Sequence, residues 1–425
     1  MFEIPRGTRD FTPEEMYKRR YVEDLFRNVF ECYGYQEIQT PTFEHLDLFL
    51  EKSGESVLDE IYEFTDKGNR KLALRPELTA PVMRMYVDKL QMEPKPLKLF
   101  YFGNCFRYDR PQKGRYREFL QAGCELIGPD TPEAIAELIT LSIDMLKEIG
   151  LTNIQLQIGN LKLLSSVFDA LKLTNDQQQL LLPSIDKEKF EDVEELLIQW
   201  NVDEEKVSQF LNLLTDQDTD VLHELLENRE ENIDEIKRLN EILRLVQNDF
   251  GVTLAEVNMG IVRGLDYYTG IVFEVKAPAL GAEKQICGGG EYELISLFGG
   301  REMPTAGFAL GFDRTILAMK EENISIPLPQ LDCYIIPYND ELISLSLQLA
   351  SLLRRNHHLK CDVDLLRRGI GKALKHASSK EASNAIILGP REIEEHKLTI
   401  RNMETGDQKE IDINEFKNNP FPYLK

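Results

Sequence analysis

The sequence predicts a mixed α/β (α+β) protein in three parts. These are an antiparallel-sheet core from residues 1–160 and 251–325, an all-helical insert at 161–250, and a small α/β domain at 331–425. Three observations carry that expectation. Strand-like, glycine-containing segments dominate the first part and return at 257–311. Residues 161–250 are rich in leucine and acid, helical in period and nearly free of strand signal. After PLPQ (327–330), which reads as a linker, strand and helix patterns alternate to the end.

The elements follow in order. Residues 13–33 carry apolar positions at helical spacing, with Pro13 near the start and Gly34 just past the end. YQEIQTPTFE (35–44) is extended, and KLALR (71–75) reads as a strand. Thr79-Ala-Pro81 reads as a helix start with Thr79 as its cap. Residues 98–108 and 117–128 are strand-like, and the charged DRPQKGRY between them makes a long-looped antiparallel hairpin. Residues 131–150 form an amphipathic helix capped by Thr131 and stopped by Gly150, and NIQLQIG (153–159) alternates as a strand. TAGFALGFDRTILAM (305–319) reads as a strand, then Gly311, then a helix with Arg314 in its first turn. The last part runs strand 332–338, helix 341–356, strand 360–365, a basic helical stretch, strand 384–389 and a closing hairpin, 397–403 with 408–413.

Composition narrows the function classes. With 425 residues, 42% apolar and 29% charged, wholesale disorder is excluded. No apolar run reaches the ~18–20 residues of a membrane span, and Met-Phe-Glu-Ile-Pro-Arg-Gly has no apolar signal region. Cys32, Cys105, Cys124, Cys287, Cys333 and Cys361 contain no Cys-x-x-Cys pair, so free thiols in a reducing cytoplasm are expected. The histidines show no metal-ligand spacing, and no metal site is expected. A net charge of −23 argues at first against a nucleic-acid partner. Residues 161–250, however, hold 22 acidic against 9 basic residues. Residues 354–380 hold eight basic against two acidic, and 98–117 six basic against Asp109 alone. A solvated face gives the same pattern as a phosphate-binding one.

Four segments carry chemistry. On the hairpin, alternation places Tyr101, Gly103, Cys105 and Arg107 on one face, and Gln121, Gly123 and Glu125 on one face of the return strand. Arginine forks suit phosphates, and Gln121 with Glu125 suits a cationic or hydrogen-bonding small ligand; a surface hairpin with ordinary salt bridges fits equally. VRGLDYYTGIVFEV (262–275) sets Arg263 before paired tyrosines. ICGGGEYELISLFGG (286–300) has three consecutive glycines, suited to close backbone approach or a tight turn, but no Gly-x-Gly-x-x-Gly dinucleotide pattern. Arg314 at a helix start is unfavourable unless an anion completes the site.

Together these segments resemble a known family. FRYDRPQKGRYREFLQAGCELIG resembles motif 2 of class II aminoacyl-tRNA synthetases, in the form typical of histidyl-tRNA synthetases. VRGLDYYTGIVFE and GGGEYELI resemble that family's two histidine motifs, GFALGFDR its motif 3, and the first helix with YGYQEIQTP its motif 1. RGTRDF and LRPELTAPVMR also fit, and the C-terminal part resembles an anticodon-binding domain. Glu291 and Glu293 stand where the second histidine motif usually has Arg and Asp.

The resemblance implies ATP-dependent attachment of L-histidine to tRNA(His) through histidyl-adenylate, with Mg2+ accompanying ATP. It implies catalytic Arg107 and Arg263, and ATP contacts from Arg107, Arg115, Phe119 and Arg314. Histidine would be held by Glu77, Thr79, Gln121, Glu125, Tyr267, Tyr268 and Tyr292. The tRNA would meet Gln112, Lys113, Arg117, Arg367 and Arg368, and a homodimer would form through the motif 1 region. Two other readings are a synthetase-like regulatory subunit of ATP phosphoribosyltransferase and a non-catalytic tRNA-binding module. The first lacks the anticodon-binding domain and often the catalytic arginines; the second lacks an intact substrate set.

Overall fold

The computed structural model describes residues 2–53, 58–110, 114–215, 221–226, 230–262 and 267–424. It divides into two compact units, Met1–Ile326 and Pro327–Lys425.

The first helix, Pro13–Cys32, starts at a capping box: Thr12 accepts from the Glu15 amide while the Glu15 carboxylate accepts from Thr12. Val22, Phe26, Val29 and Phe30 recur at helical spacing and are buried. Each such side chain contributes about 1.5–3 kcal/mol relative to exposure. They pack against an eight-stranded sheet. Its spatial order is Gln36–Glu37, Leu97–Phe106, Glu118–Ile127, Thr305–Gly311, Gln285–Tyr292, Tyr268–Lys276, Gln155–Asn160 and Ala255–Val257. Only the two outermost pairings are parallel.

The register explains which face does what. Phe100 pairs with Cys124 and Cys124 with Phe308, and these turn toward the helices; Phe30 stacks on Phe100 with centroids 4.7 Å apart. One residue along, Glu125, Gly307 and Gly290 lie in a row on the other face, beside the row Tyr101, Gly123, Ala309, Gly288. The three-glycine run is therefore split between faces. Gly288 and Gly290 keep the open face shallow, while Gly289 lies against Phe273 and Phe308 on the packed side.

Between Asn160 and Ala255 the described residues are helical, from Leu161–Ala170 through Glu230–Arg244 and its continuation Leu245–Asp249. These helices share the core of the first unit, through Leu163, Leu164, Phe168, Phe210 and Leu239. A small antiparallel sheet of Phe43–His45, Lys71–Leu74 and Tyr62–Thr65 flanks the main one.

One expected cap is corrected. Thr79 is the first residue of the helix Thr79–Met85, not its cap, and Leu78 before it offers no side-chain bond. Glu77 takes that part: its carboxylate accepts from the Thr79 amide at 2.7 Å and the Ala80 amide at 3.1 Å. A charged acceptor reaching the first free amides satisfies them better than a hydroxyl.

The second unit has a five-stranded sheet ordered Cys361–Val363, Leu331–Pro337, Ala382–Leu388, Lys397–Asn402, Gln408–Asp412. The first two pairings are parallel and the last two antiparallel. Helices Ile343–His357 and Ile370–Ser379 pack on it.

Candidate active site

A cavity of about 680 Å³ opens on the glycine-rich face of the main sheet. Eleven sequence-predicted residues line it: Glu77, Thr79, Arg107, Arg115, Phe119, Gln121, Glu125, Tyr267, Tyr268, Tyr292 and Arg314. Arg263, Gln112 and Lys113 lie outside the described residues.

At the floor, Glu125 is 1% exposed. Tyr101 donates to its Oε1 at 3.0 Å, and Tyr292 donates to Oε2. Burial pushes the Glu125 carboxyl up to about 7; the hydroxyls of Tyr292, Tyr101 and Thr79 pull against that by bonding the ionised form. The local sequence builds this floor. A Cβ on Gly307 would enter the Glu125 carboxylate, and one on Gly123 would stand 2.7 Å from the Tyr101 hydroxyl. Tyr267 and Tyr268 form the adjoining wall, with ring centroids 4.2 Å apart. Gln121 accepts from the Cys105 thiol at 3.2 Å. Burial raises that thiol to about 12, so it stays protonated and supplies no thiolate nucleophile.

The opposite end is cationic. Arg107 donates through Nε to the Pro76 carbonyl at 2.9 Å, which fixes its stem, and its guanidinium lies 5.5 Å from the Phe119 ring centroid. Arg314 donates to the carbonyls of Gln285 and Gly114 at 2.9 and 3.2 Å. Arg314 is in the first turn of Phe312–Glu321, immediately after the strand Thr305–Gly311.

Three groups escaped the sequence reading. Asp313 is 6% exposed and takes Arg9 at 2.7 Å, Arg19, and the Leu120 amide at 2.8 Å. It ties the N-terminal segment and first helix to the hairpin. Arg9 also lies 3.3 Å from the Tyr116 ring centroid, and the Arg117 amide donates to the Gly7 carbonyl at 2.8 Å. The second group is Lys52, whose Nζ is 3.0 Å from Glu77 Oε2. The third is the partner of Glu291. Arg238, on the insert helix Glu230–Arg244, forks onto the Glu291 carboxylate and also reaches Asp130 at 2.9 Å. Glu291 additionally accepts from the Ile271 amide at 2.7 Å. Burial patterns mark buried acids poorly, because sequence shows charge but not its partner.

Three residues expected at the tRNA are not among those that line the cavity. Arg117 sits over the Tyr108 ring at 3.9 Å and donates to the Asp109 carbonyl. Arg368 is paired with the fully buried Asp364 side chain, whereas Arg367 is exposed and meets Asp340 at 2.9 Å. Among the described basic residues of the insert, Lys237 pairs with Asp234, Arg244 with Glu241 and Asp249, and Arg238 with Glu291. Arg229 is outside the described residues.

An antiparallel sheet that aims a motif-2 hairpin and a strand–helix arginine into one nucleotide-sized cavity defines a class II aminoacyl-tRNA synthetase core. Residues 7–315 match the family described as histidyl-tRNA synthetase, and residues 332–419 match an anticodon-binding domain. The chain belongs to the histidyl-tRNA synthetase family. It is 43% identical to the histidine–tRNA ligase of Methanocaldococcus jannaschii, over 98% of this chain and 99% of that protein. The apo S. aureus histidyl-tRNA synthetase superposes with TM-score 0.72 at 29% identity, covering 98% of this chain and 99% of that one. A Bacillus halodurans structure described as an ATP phosphoribosyltransferase regulatory subunit/histidyl-tRNA synthetase gives TM-score 0.77 at 25% identity, covering 88% of this chain and 96% of that one.

Proposed function

We propose that the cavity joins L-histidine to ATP and passes the histidyl group to tRNA(His), as an ATP-dependent histidine–tRNA ligase. The observation that carries this is the buried Glu125, with its two tyrosine donors, at the floor of an arginine-lined cavity. A carboxylate at that depth accepts from an imidazole N–H in addition to its two tyrosines, and a ligand without one leaves that remaining acceptor position unfilled. Glu77, Thr79 and Gln121 receive the α-ammonium, and Tyr267 and Tyr268 close the side of the ring. Arg107 aligns the histidine carboxylate with the α-phosphorus. The carboxylate oxygen attacks, the bond to the β-phosphate bridge breaks, and pyrophosphate leaves. Arg263 adds positive charge at that phosphorus, Arg115 and Arg314 hold the outer phosphates, and Phe119 stacks on adenine. The chain's role is therefore positioning and charge stabilisation. Mg2+ enters as the companion of ATP; a hard cation carried by phosphates needs few protein oxygens. Among the described residues no group of three acidic, histidine or cysteine side chains is gathered to hold a metal.

The tRNA anticodon meets the second unit beside Arg367. There the exposed Tyr338, Leu365 and Leu366 follow the ends of two adjacent strands, a surface on which bases stack. A second copy of the chain covers the small sheet and first helix, where Phe43 and Phe64 pair in the open, 52% and 42% exposed. The described cysteines are all free, consistent with a reducing cytoplasm, and no described helix is long and apolar enough to cross a membrane. The regulatory-subunit reading is not favoured, because the anticodon-binding match and near-complete coverage of a histidine–tRNA ligase accompany the arginine set.

ATP–pyrophosphate exchange measured with each of the twenty amino acids tests the assignment. Exchange with histidine alone is expected, and exchange with another amino acid defeats it. Arg263→Ala should abolish that exchange and leave the oligomeric state unchanged; normal exchange would remove Arg263 from the mechanism.

A further inference from the structure

We propose that Lys52 is an internal stand-in for the substrate's ammonium group, so that the cavity by itself holds the charge that histidine brings. The proposal rests on the reading of Glu77 as receiver of the α-ammonium. Lys52 lies in the last turn of the helix Leu46–Ser53, and its side chain is only 7% exposed. Its Nζ is 3.0 Å from Glu77 Oε2 and 4.5 Å from the centroid of the Tyr267 ring. All three residues line the cavity. A carboxylate beside an aromatic face is the chemistry that recognises an alkylammonium ion.

The two partners differ in how firmly they are held. The Glu77 carboxylate is fixed by the Thr79 and Ala80 amides. Lys52 carries its charge on a flexible four-carbon stem. Removing a cation from a half-buried carboxylate is unfavourable, because the remaining charge is left without compensation. Exchanging one ammonium for another keeps the local charge constant and avoids that penalty. A ligand that carries its own ammonium can therefore replace Lys52 at Glu77. A ligand without one meets a carboxylate already satisfied and gains nothing from it. Lys52 thereby competes with histidine for one carboxylate and sets the affinity of the ammonium subsite without touching the imidazole subsite.

The test uses the full-length protein with Lys52→Met and Lys52→Gln, in histidine-dependent ATP–pyrophosphate exchange. Two inhibitors separate the charges: histidinol, with an ammonium and no carboxylate, and 3-(imidazol-4-yl)propionate, with a carboxylate and no ammonium. In both variants the histidine KM and the histidinol Ki should fall roughly tenfold, with the imidazolylpropionate Ki unchanged. Unchanged or raised values for histidine and histidinol, or an equal shift for all three ligands, overturn the proposal. Glu77→Gln separates it from the reading beneath it. If that substitution leaves the histidine KM and histidinol Ki unaltered, Glu77 does not receive the ammonium. If it raises both while the Lys52 variants do nothing, only the stand-in fails. Should the variants prove thermally weak, the histidine-induced rise in Tm decides: a larger rise than in wild type supports the stand-in, and an equal or smaller rise refutes it.

Discussion

Glu125→Gln is the most informative single change at the cavity floor. It keeps the shape of the side chain and removes its charge. The carboxylate takes both tyrosine hydroxyls as donors, and an incoming imidazole N–H would be a third. A hydrogen bond to a charged group contributes about 1.5–3 kcal/mol, so kcat/KM for histidine should fall roughly 10- to 150-fold at pH 8. The size of the loss should depend on pH. Because burial raises the Glu125 carboxyl to about 7, wild type loses its ionised acceptor as pH falls through that value. The wild-type to variant ratio should therefore shrink about tenfold per pH unit below 7. Titration of the substrate's own imidazole affects both proteins alike and cancels. Stability should move the other way. A carboxyl raised in the folded state favours folding fully below its ordinary value of 4.5 and loses that contribution as pH rises through about 7. The span corresponds to about 3 kcal/mol, an order-of-magnitude figure, which Gln avoids. The variant should have the higher Tm at pH 8 and no such advantage at pH 5. A ratio that is flat between pH 6 and 8.5, with no loss at pH 8, would refute the assignment of Glu125 to the imidazole.

Four further outcomes follow from contacts already described. Gly307→Ala drives a methyl into the Glu125 carboxylate and to 2.5 Å from the Cys124 carbonyl. Histidine-dependent exchange should be lost, while calorimetric titration should still detect ATP. Arg238→Met leaves Glu291 only its Ile271 amide, and a broken part-buried pair of this kind costs about 3–5 kcal/mol. Limited proteolysis within the helical insert should accelerate markedly, and unchanged cleavage would discount the link. Arg367→Glu should weaken aminoacylation and spare adenylate formation, read by comparing charging with exchange; equal loss in both steps contradicts docking there. Arg368→Glu should instead lower the Tm of the second unit, because it breaks the pair with buried Asp364.

The fold was legible where local pattern and tertiary role agree. The hairpin, the capped helix Pro132–Glu148 and the strand–Gly311–helix unit lie within a residue or two of their expected bounds. Their periodicity is the same signal that buries them. The cavity residues were legible through the resemblance of their segments to the family's motifs, and strand alternation placed Gln121 and Glu125 on one face. What was not legible depends on pairing at long range. Asp313 and Arg19 are 294 positions apart, and Glu291 and Arg238 are 53 apart. Composition records such residues only as charges. Lys52 is hidden for the same reason, and the pattern points to Thr79 as the cap because the carboxylate two residues ahead has no pattern of its own. Within the insert, Lys237, Arg238 and Arg244 each lie beside an acid, which the charge count alone does not show.

The contacts of Gly7 and Arg9 give residues 5–9 an unusual standing. They are a strap across the base of the loop that carries Arg115 and Tyr116, secured at Asp313. Shortening the chain at that end, or burdening it with a bulky fusion, reaches the cavity wall without touching a residue of it. Asp313 would keep Arg19 and the Leu120 amide, and Tyr116 would lose the guanidinium that covers it. A reporter dye placed ahead of Arg9 would accordingly sense events beside Arg115 and Tyr116 from the chain's N-terminal end.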